Sequence, residues 1–248
     1  MIKSIVARFI IVASYLCISP VAIAYDEDSE RKGTHEEFRT IVKAAEPTGE
    51  EADHYTQMFL GNAYAKGWGV KQDYKQAFKW FSLSAAKGNP FSQNGLGFLY
   101  ANGKGVPQDL EVARQWYERA AQGGFFSALD SIGQMHEKGL GVPQNPAKAA
   151  AFYFMAADKE IKKGCFNLGR LFADGKGVDQ NLVVAYALFN LAAADTTLST
   201  AAKAKRKRDK LAARMQPSDI AAAQNLSRKM TEPPGLAWAI GPIIPLSE

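Results

Sequence analysis

The sequence repeats itself every 36 residues, and this period limits the possible folds more than any other feature. A Leu-Gly or Ile-Gly pair recurs four times without an insertion, at Leu60-Gly61, Leu96-Gly97, Ile132-Gly133 and Leu168-Gly169. A period of about 20–50 residues is the signature of a repeat array, in which each repeat buries its apolar face only against its neighbours. The sequence therefore predicts a repeat protein with one continuous core.

Each repeat is predicted to form a helix, a loop and a second helix. A small residue, the Leu or Ile and an aromatic or His stand four residues apart, which draws one stripe along the first helix. The first loop glycine suits a helix end that requires positive φ, and an Asp or Asn then caps the second helix. The glycines are Gly67, Gly103, Gly139 and Gly175, and the caps are Asp73, Asp109, Asn145 and Asn181.

The second repeat carries the fullest copy of a known motif. It runs from Leu96-Gly97 through Tyr100, Gly103, Gly105-Val106-Pro107, Asp109, Ala113, Trp116-Tyr117 and Ala120-Ala121 to Gly123. This string closely resembles the Sel-one-like repeat, a relative of the tetratricopeptide repeat. The resemblance covers residues 52 to about 196. It implies an all-α fold, a right-handed α/α solenoid of four helix pairs with capping helices at both ends.

The later repeats depart from the motif. His136 replaces the aromatic residue of the stripe, and the usual glycine-containing link is replaced by Asp158-Lys159-Glu160 and by Asp195-Thr196. We expect these two junctions to be less regular than the first two.

The N-terminus has the layout of a secretory signal peptide. Lys3 and Arg8 precede a short apolar run, and Ala22-Ile23-Ala24 provides a cleavage signal. Residues 1–24 are therefore predicted to be removed after Ala24, which places the protein in the periplasm or outside the cell. Cys165 is then the remaining cysteine, so no internal disulfide is expected.

The rest of the chain is divided by composition. Residues 25–50 are predicted to hold an acidic segment and an N-terminal capping helix, 51–196 the four repeats, and 197–230 a C-terminal pair of capping helices. Residues 231–248 form a tail rich in proline and apolar side chains, which we expect to be extended. The sequence leaves open whether this tail folds back onto the solenoid or waits for a partner.

The sequence offers no catalytic, cofactor-binding or metal-binding group. His35, His54 and His136 have no spacing typical of metal ligands, and no Gly-x-Ser-x-Gly string is present. His136 is predicted to pack in the core, and Cys165 is predicted to be a buried, unreactive thiol. The chain is therefore predicted not to be an enzyme.

A binding surface is predicted on the first helices. Positions six before, three before and one after the recurring glycine point away from the buried stripe. In tetratricopeptide-like solenoids the first helices line the concave side, so these positions are expected to form a groove with exposed aromatic residues. The alternative is that packing or the apolar tail covers them. The predicted groove residues are Tyr55, Met58, Asn62, Phe91, Asn94, Phe98, Asp130, Gln134, Phe166 and Arg170.

A basic run lies in the first C-terminal capping helix. It is either a solvated face or a contact for anionic lipid headgroups or an acidic partner. Removing Lys3 and Arg8 with the signal peptide lowers the formal net charge from +5 to +3, which is too mild to indicate nucleic acid. The contact residues would be Lys203, Arg206, Lys207, Arg208 and Lys210.

These features favour a monomeric, non-enzymatic binding protein without a cofactor. The family resemblance implies a protein partner such as a secreted effector, a sensor or an envelope component, and an inhibitor, immunity or regulatory role. One alternative is an envelope adaptor or host-contact factor. Another is an exported enzyme that binds or hydrolyses β-lactams, although such relatives carry a cysteine pair in each repeat and this chain does not.

Overall fold

The computed structural model describes residues 32–48, 50–194 and 199–244. All regular secondary structure in these ranges is helical. The chain divides into two compact units, an N-terminal unit that ends at Gln108 and a C-terminal unit that begins at Asp109. The predicted signal peptide, the acidic segment and the Asp195-Thr196 junction lie outside the described residues.

The N-terminal unit consists of a capping helix, one helix pair and the first helix of the second repeat. The capping helix contacts the first pair through Val42, which is fully buried, and through Phe38, whose ring stacks on Phe59 and Trp68. The side chains of Thr34 and Glu37 lie outside the described part. The helices are α1 (Lys32–Ala45), α2 (His54–Lys66), α3 (Tyr74–Ala86) and α4 (Pro90–Asn102), with a 3-10 turn at Glu46–Thr48.

The C-terminal unit continues the same pattern and ends in the predicted capping pair. Consecutive helices pack against each other, and both capping helices pack on the last repeat helix. The helices are α5 (Leu110–Gln122), α6 (Ser127–Lys138), α7 (Pro146–Asp158), α8 (Lys162–Asp174), α9 (Leu182–Ala192), α10 (Ser199–Ala212), α11 (Pro217–Thr231) and α12 (Leu236–Ile240).

The predicted helix ends are confirmed in all four repeats. The first loop glycines have φ between 61° and 78° and lie directly after the last residue of their helices. The four Asp and Asn residues accept backbone hydrogen bonds from the first turn of the second helices. Together with the packing of consecutive helix pairs, these ends confirm the predicted all-helical repeat fold class.

The glycine of the recurring Leu-Gly pair makes room for an aromatic ring of the second helix. A Cβ added at Gly61 would lie 2.4 Å from Cδ1 of Phe81, and one at Gly133 would lie 2.7 Å from the Tyr153 ring. A Cβ atom cannot lie this close to a ring carbon, so only glycine fits at these positions. This aromatic position recurs every 36 residues as Phe81, Tyr117, Tyr153 and Phe189, but its packing against the glycine was not predicted from the sequence.

The junction at Asp158-Lys159-Glu160 keeps its backbone geometry without the glycine. Glu160 has a φ of 59°, and its counterparts in the earlier repeats are Gly88 and Gly124, whose φ is also positive. The expectation of a less regular junction is therefore wrong for this link. A non-glycine residue in this conformation costs about 1 kcal/mol, which the packing of the flanking helices offsets.

The tail is not extended, and the expectation of an extended segment is wrong. It forms α12 and a 3-10 turn at Gly241–Ile243. Leu236, Ile240 and Ile244 are buried in the core of the C-terminal unit. Their spacing of four residues gives one apolar stripe, which is stable as a helix once it packs on a larger core.

Candidate functional site

The predicted groove residues of the N-terminal unit fall into two groups. Tyr55 and Phe98 are 49% and 41% exposed, and Phe91 and Asn94 are half-buried. Met58 and Asn62 are buried, so the expectation of a fully open row is wrong for them. The reason is that α2 contacts α1, α3 and α4, which cover more of its circumference than the single stripe that the sequence indicates.

Phe98 is held in place by a neighbouring cation. The Lys104 ammonium lies 5.1 Å from the centre of the Phe98 ring and 4.8 Å from the centre of the Tyr74 ring. It also donates a hydrogen bond of 3.1 Å to the Tyr74 hydroxyl. A cation over an aromatic face is attracted by the negative charge of that face. This contact orients the exposed Phe98 ring.

Asp130, in the C-terminal unit, is not part of an open groove. It is 1% exposed, so the expectation that it lines the surface is wrong. Its carboxylate accepts hydrogen bonds from Asn167 Nδ2 at 2.5 Å and from Gln134 Nε2 at 2.7 Å, and Lys163 Nζ lies 2.8 Å away. Because α8 packs against α6, a carboxylate on α6 is buried with its donors rather than exposed.

A second buried carboxylate pairs with Arg170. Glu137 accepts hydrogen bonds from the Tyr153 hydroxyl at 2.7 Å and from Arg170 at 2.7 and 2.9 Å. Burial alone would raise the pKa of Glu137, but the hydrogen bonds from Tyr153 and Arg170 and the charge of Arg170 hold it below its ordinary value. Both charged residues of the predicted groove in this unit, Asp130 and Arg170, are thus paired within the chain.

The remaining groove residue of this unit, Phe166, is half-buried. Its ring lies 5.8 Å from that of Phe189, measured between centres. It therefore contributes to the core as well as to the surface.

His136 and Cys165, both predicted to be packed in the core, are buried to different degrees. His136 is half-buried and stacks on Phe152 with ring centres 5.4 Å apart. Burial, followed by the charges of Lys148 and Arg114, lowers its pKa. Cys165 is buried as predicted, and burial raises the pKa of its thiol to about 11. A thiol with such a pKa is protonated at neutral pH and is a poor nucleophile.

The described part of the chain contains no group of three or more His, Cys, Asp or Glu that could hold a metal ion. In the same residues, no helix combines the length and the apolar character that a membrane crossing requires.

The N-terminal unit contains an open cavity that the sequence reading did not predict. It has a volume of about 1130 Å³ and lies between α1 and the glycine-rich loop of the first repeat. Arg39, Lys43, Lys71 and Lys75 are among its lining residues. The cavity brings together positions that are far apart in the sequence, so no local motif could have indicated it.

The basic residues of α10 do not all reach solvent. Lys203, Arg206, Lys207 and Lys210 are exposed. Arg208 is instead half-buried and donates hydrogen bonds to Asn190 Oδ1 at 2.9 Å and to Asp209 Oδ1 at 3.0 Å. Its guanidinium therefore joins α10 to α9, and the expectation of an open anion contact is wrong for this residue.

Comparisons with known proteins agree with this architecture. The chain is similar to the crystal structure of a Sel1 repeat protein from Oxalobacter formigenes, with 28% sequence identity and a TM-score of 0.54 over 62% of each chain. It is also similar to c5321, a protective antigen present in uropathogenic Escherichia coli strains that displays an SLR fold. That match has 24% identity and a TM-score of 0.59, over 83% of this chain and 51% of that one. The chain thus spans less than two thirds of either structure.

A third solved structure is an immunity protein, Pa5087 from Pseudomonas aeruginosa, with 19% identity over 69% of this chain and 77% of that one. Its TM-score of 0.40 is too low to support an inference. A comparison with curated proteins finds no significant match.

The family model of the Sel1 repeat matches the chain four times, at residues 54–89, 90–125, 127–160 and 162–195. Each of these segments holds one helix pair of the structure. Together they make up more than half of the 248 residues. The chain therefore belongs to the Sel1 repeat family.

Proposed function

We propose that this chain is an exported, non-enzymatic protein that binds a partner protein through the first-helix surface of its N-terminal unit. Sel1 repeats mediate protein–protein interactions. The observation that carries the proposal is the exposure of Phe98, a large aromatic residue held in place by Lys104. Aromatic anchors of this kind contribute most of the energy of a typical protein interface.

Tyr55 and Phe91 extend the same surface. They occupy equivalent positions in the first helices of repeats one and two, and Phe98 follows Phe91 by two turns of α4. The Tyr55 ring lies 4.1 Å from the His54 ring, between ring centres. Exposed large aromatic residues such as Tyr55 and Phe98 are uncommon on a solvated surface and are typical of a binding site.

A protein that binds its partner without catalysing a reaction suits the role of an inhibitor, an immunity protein or a regulator. That role is part of the proposal, and the partner would be a secreted effector, a sensor or an envelope component.

Replacing Phe98 with alanine should weaken partner binding by roughly 2 kcal/mol, which is about 30-fold. The free energy of unfolding should change by less than about 0.5 kcal/mol, because the ring is a surface residue. The measurements are thermal unfolding of the purified variant and its affinity for the protein that co-purifies with the wild-type chain from an extract of the producing cells.

Two further variants make this test specific. Met155 is also exposed but lies in the C-terminal unit, so Met155→Ala should change neither binding nor stability. Leu96 is buried, so Leu96→Ala should cost at least about 2 kcal/mol of stability. If Phe98→Ala unfolds as readily as Leu96→Ala, or binds as tightly as Met155→Ala, the aromatic surface is not the binding site.

The export part of the proposal rests on the sequence of residues 1–24. Protein recovered from the periplasm or the medium should begin at Tyr25, because cleavage is expected after Ala24. N-terminal sequencing or intact-mass measurement would decide this point. A mature chain that still begins with Met1 would contradict it.

A further inference from the structure

Four of the five exposed cations of α10 lie along one line, and the fifth, Lys205, points to a different side of the helix. Lys203, Arg206, Lys207 and Lys210 are spaced by three, four and seven residues from the first, which places them on one face of the helix. The line is about 10 Å long, since an α-helix rises about 1.5 Å per residue. We call these four residues the basic stripe.

The basic stripe lies on a helix that packs on the core, and it has no counter-charge in the described part of the chain. Ala201, Ala204 and Leu211, on another face of α10, are buried. Asp209 is already occupied by Arg208. None of the four cations forms an ion pair with a described residue. The positive charge of the stripe is therefore not neutralised by any described residue of the chain.

We propose that the basic stripe is a docking site for an acidic segment of a partner protein. A carboxylate-bearing helix with acidic residues three and four apart matches the stripe in both charge and spacing. This site goes beyond the aromatic surface of the N-terminal unit and does not depend on it, because it lies in the C-terminal unit and binds by charge.

Two other anionic partners fit the stripe less well. An amphipathic helix binds a membrane by inserting its apolar face, but the apolar face of α10 is already buried in the protein core. Proteins that hold single-stranded nucleic acid place aromatic side chains among their cations for the bases to stack on. No aromatic residue occurs in α10.

The probe for this proposal is poly-L-glutamate, titrated against the full chain at low salt. The test variant is Arg206→Gln/Lys207→Gln/Lys210→Gln. Its affinity should fall about tenfold, because each exposed charge pair contributes a few tenths of a kcal/mol to about 1 kcal/mol. The control variant is Lys66→Gln/Lys138→Gln/Lys229→Gln, which removes the same charge from other exposed positions. Its affinity should stay within about twofold of the wild type.

A third variant separates charge from folding. Arg206→Lys/Lys207→Arg/Lys210→Arg keeps every charge, so it should bind poly-L-glutamate like the wild type. Raising the salt from about 0.05 M to about 0.5 M should abolish binding, because the contacts are exposed to solvent. Loss of binding in this charge-conserving variant would overturn the proposal.

Two more results would overturn it. Equal weakening in the test and control variants would mean that only net charge matters. The second result is binding to vesicles of phosphatidylcholine and phosphatidylglycerol, lost in the test variant, with no binding to poly-L-glutamate. That result would assign the stripe to a membrane surface instead.

Discussion

Replacing Gly105 with alanine should destabilise the protein by roughly 3 kcal/mol or more. Gly105 has a φ of 74°, a conformation that costs an alanine about 1–2 kcal/mol. A Cβ at this position would also lie 2.3 Å from the carbonyl oxygen of Tyr74 and 2.9 Å from the nitrogen of Lys75. These atoms belong to the backbone at the start of α3, so they cannot move aside as a flexible side chain would. Overpacking of this kind costs about 1–3 kcal/mol more.

Gly88 provides the matched control for this prediction. Its φ is 83°, but a Cβ there would meet no atom within 4 Å. Gly88→Ala should therefore cost only the conformational part, about 1–2 kcal/mol. Urea unfolding of both variants, followed by circular dichroism, measures the difference. Equal losses of stability would show that the loop does not pack closely against the start of α3.

Gly88 and Gly105 differ in a contact that local sequence features do not determine. The period, the helix pairs, the caps and the positive-φ glycines are local features, and all could be predicted from residue types at fixed spacing. The close approach of Gly105 to Tyr74 joins one repeat to the previous one. Only the packing of successive repeats determines such a contact, so the sequence predicted the loop that contains Gly105 but not the neighbour of this glycine.

The candidate surface could be predicted only in part for the same reason. Tyr55 and Phe98 are exposed as expected, whereas Met58 and Asp130 are buried. A helical wheel gives the direction of a side chain relative to its own helix. It does not say how many neighbouring helices cover that direction, and α2 has three. The short helix of the tail also depends on burial of its apolar stripe against the rest of its unit.

The two units use equivalent positions of their first helices in different ways. Glu137 and Arg170 form an ion pair in the C-terminal unit. The residues two repeats earlier are Ala65 and Phe98, which have no charge to pair. In the C-terminal unit the charged side chains at these positions pair with each other. In the N-terminal unit the aromatic ring of Phe98 at the equivalent position is exposed. This difference supports placing the proposed partner on the N-terminal unit.

Replacing Glu137 with glutamine should destabilise the protein by about 2–3 kcal/mol at neutral pH. The change leaves the half-buried Arg170 guanidinium without its counter-charge and weakens the hydrogen bond from Tyr153. Removing one partner of a fully buried ion pair costs about 3–5 kcal/mol, and the cost is smaller here because the Arg170 side chain is 30% exposed. The control is Glu111→Gln, because Glu111 forms an exposed pair with Arg114. That substitution should leave stability nearly unchanged, as exposed pairs contribute little.

The difference in stability between Glu137→Gln and the wild type should shrink in acid. The pKa of Glu137 in the folded protein lies below its ordinary value of 4.5. Its contribution to stability is therefore complete above pH 4.5 and is lost as the pH falls through the lower, folded pKa. Urea unfolding of wild type and Glu137→Gln at a series of pH values should give a constant difference near neutrality and a shrinking one below about pH 4.5. A difference that does not change with pH would mean that the charge of Glu137 is not what stabilises the contact between α6 and α8.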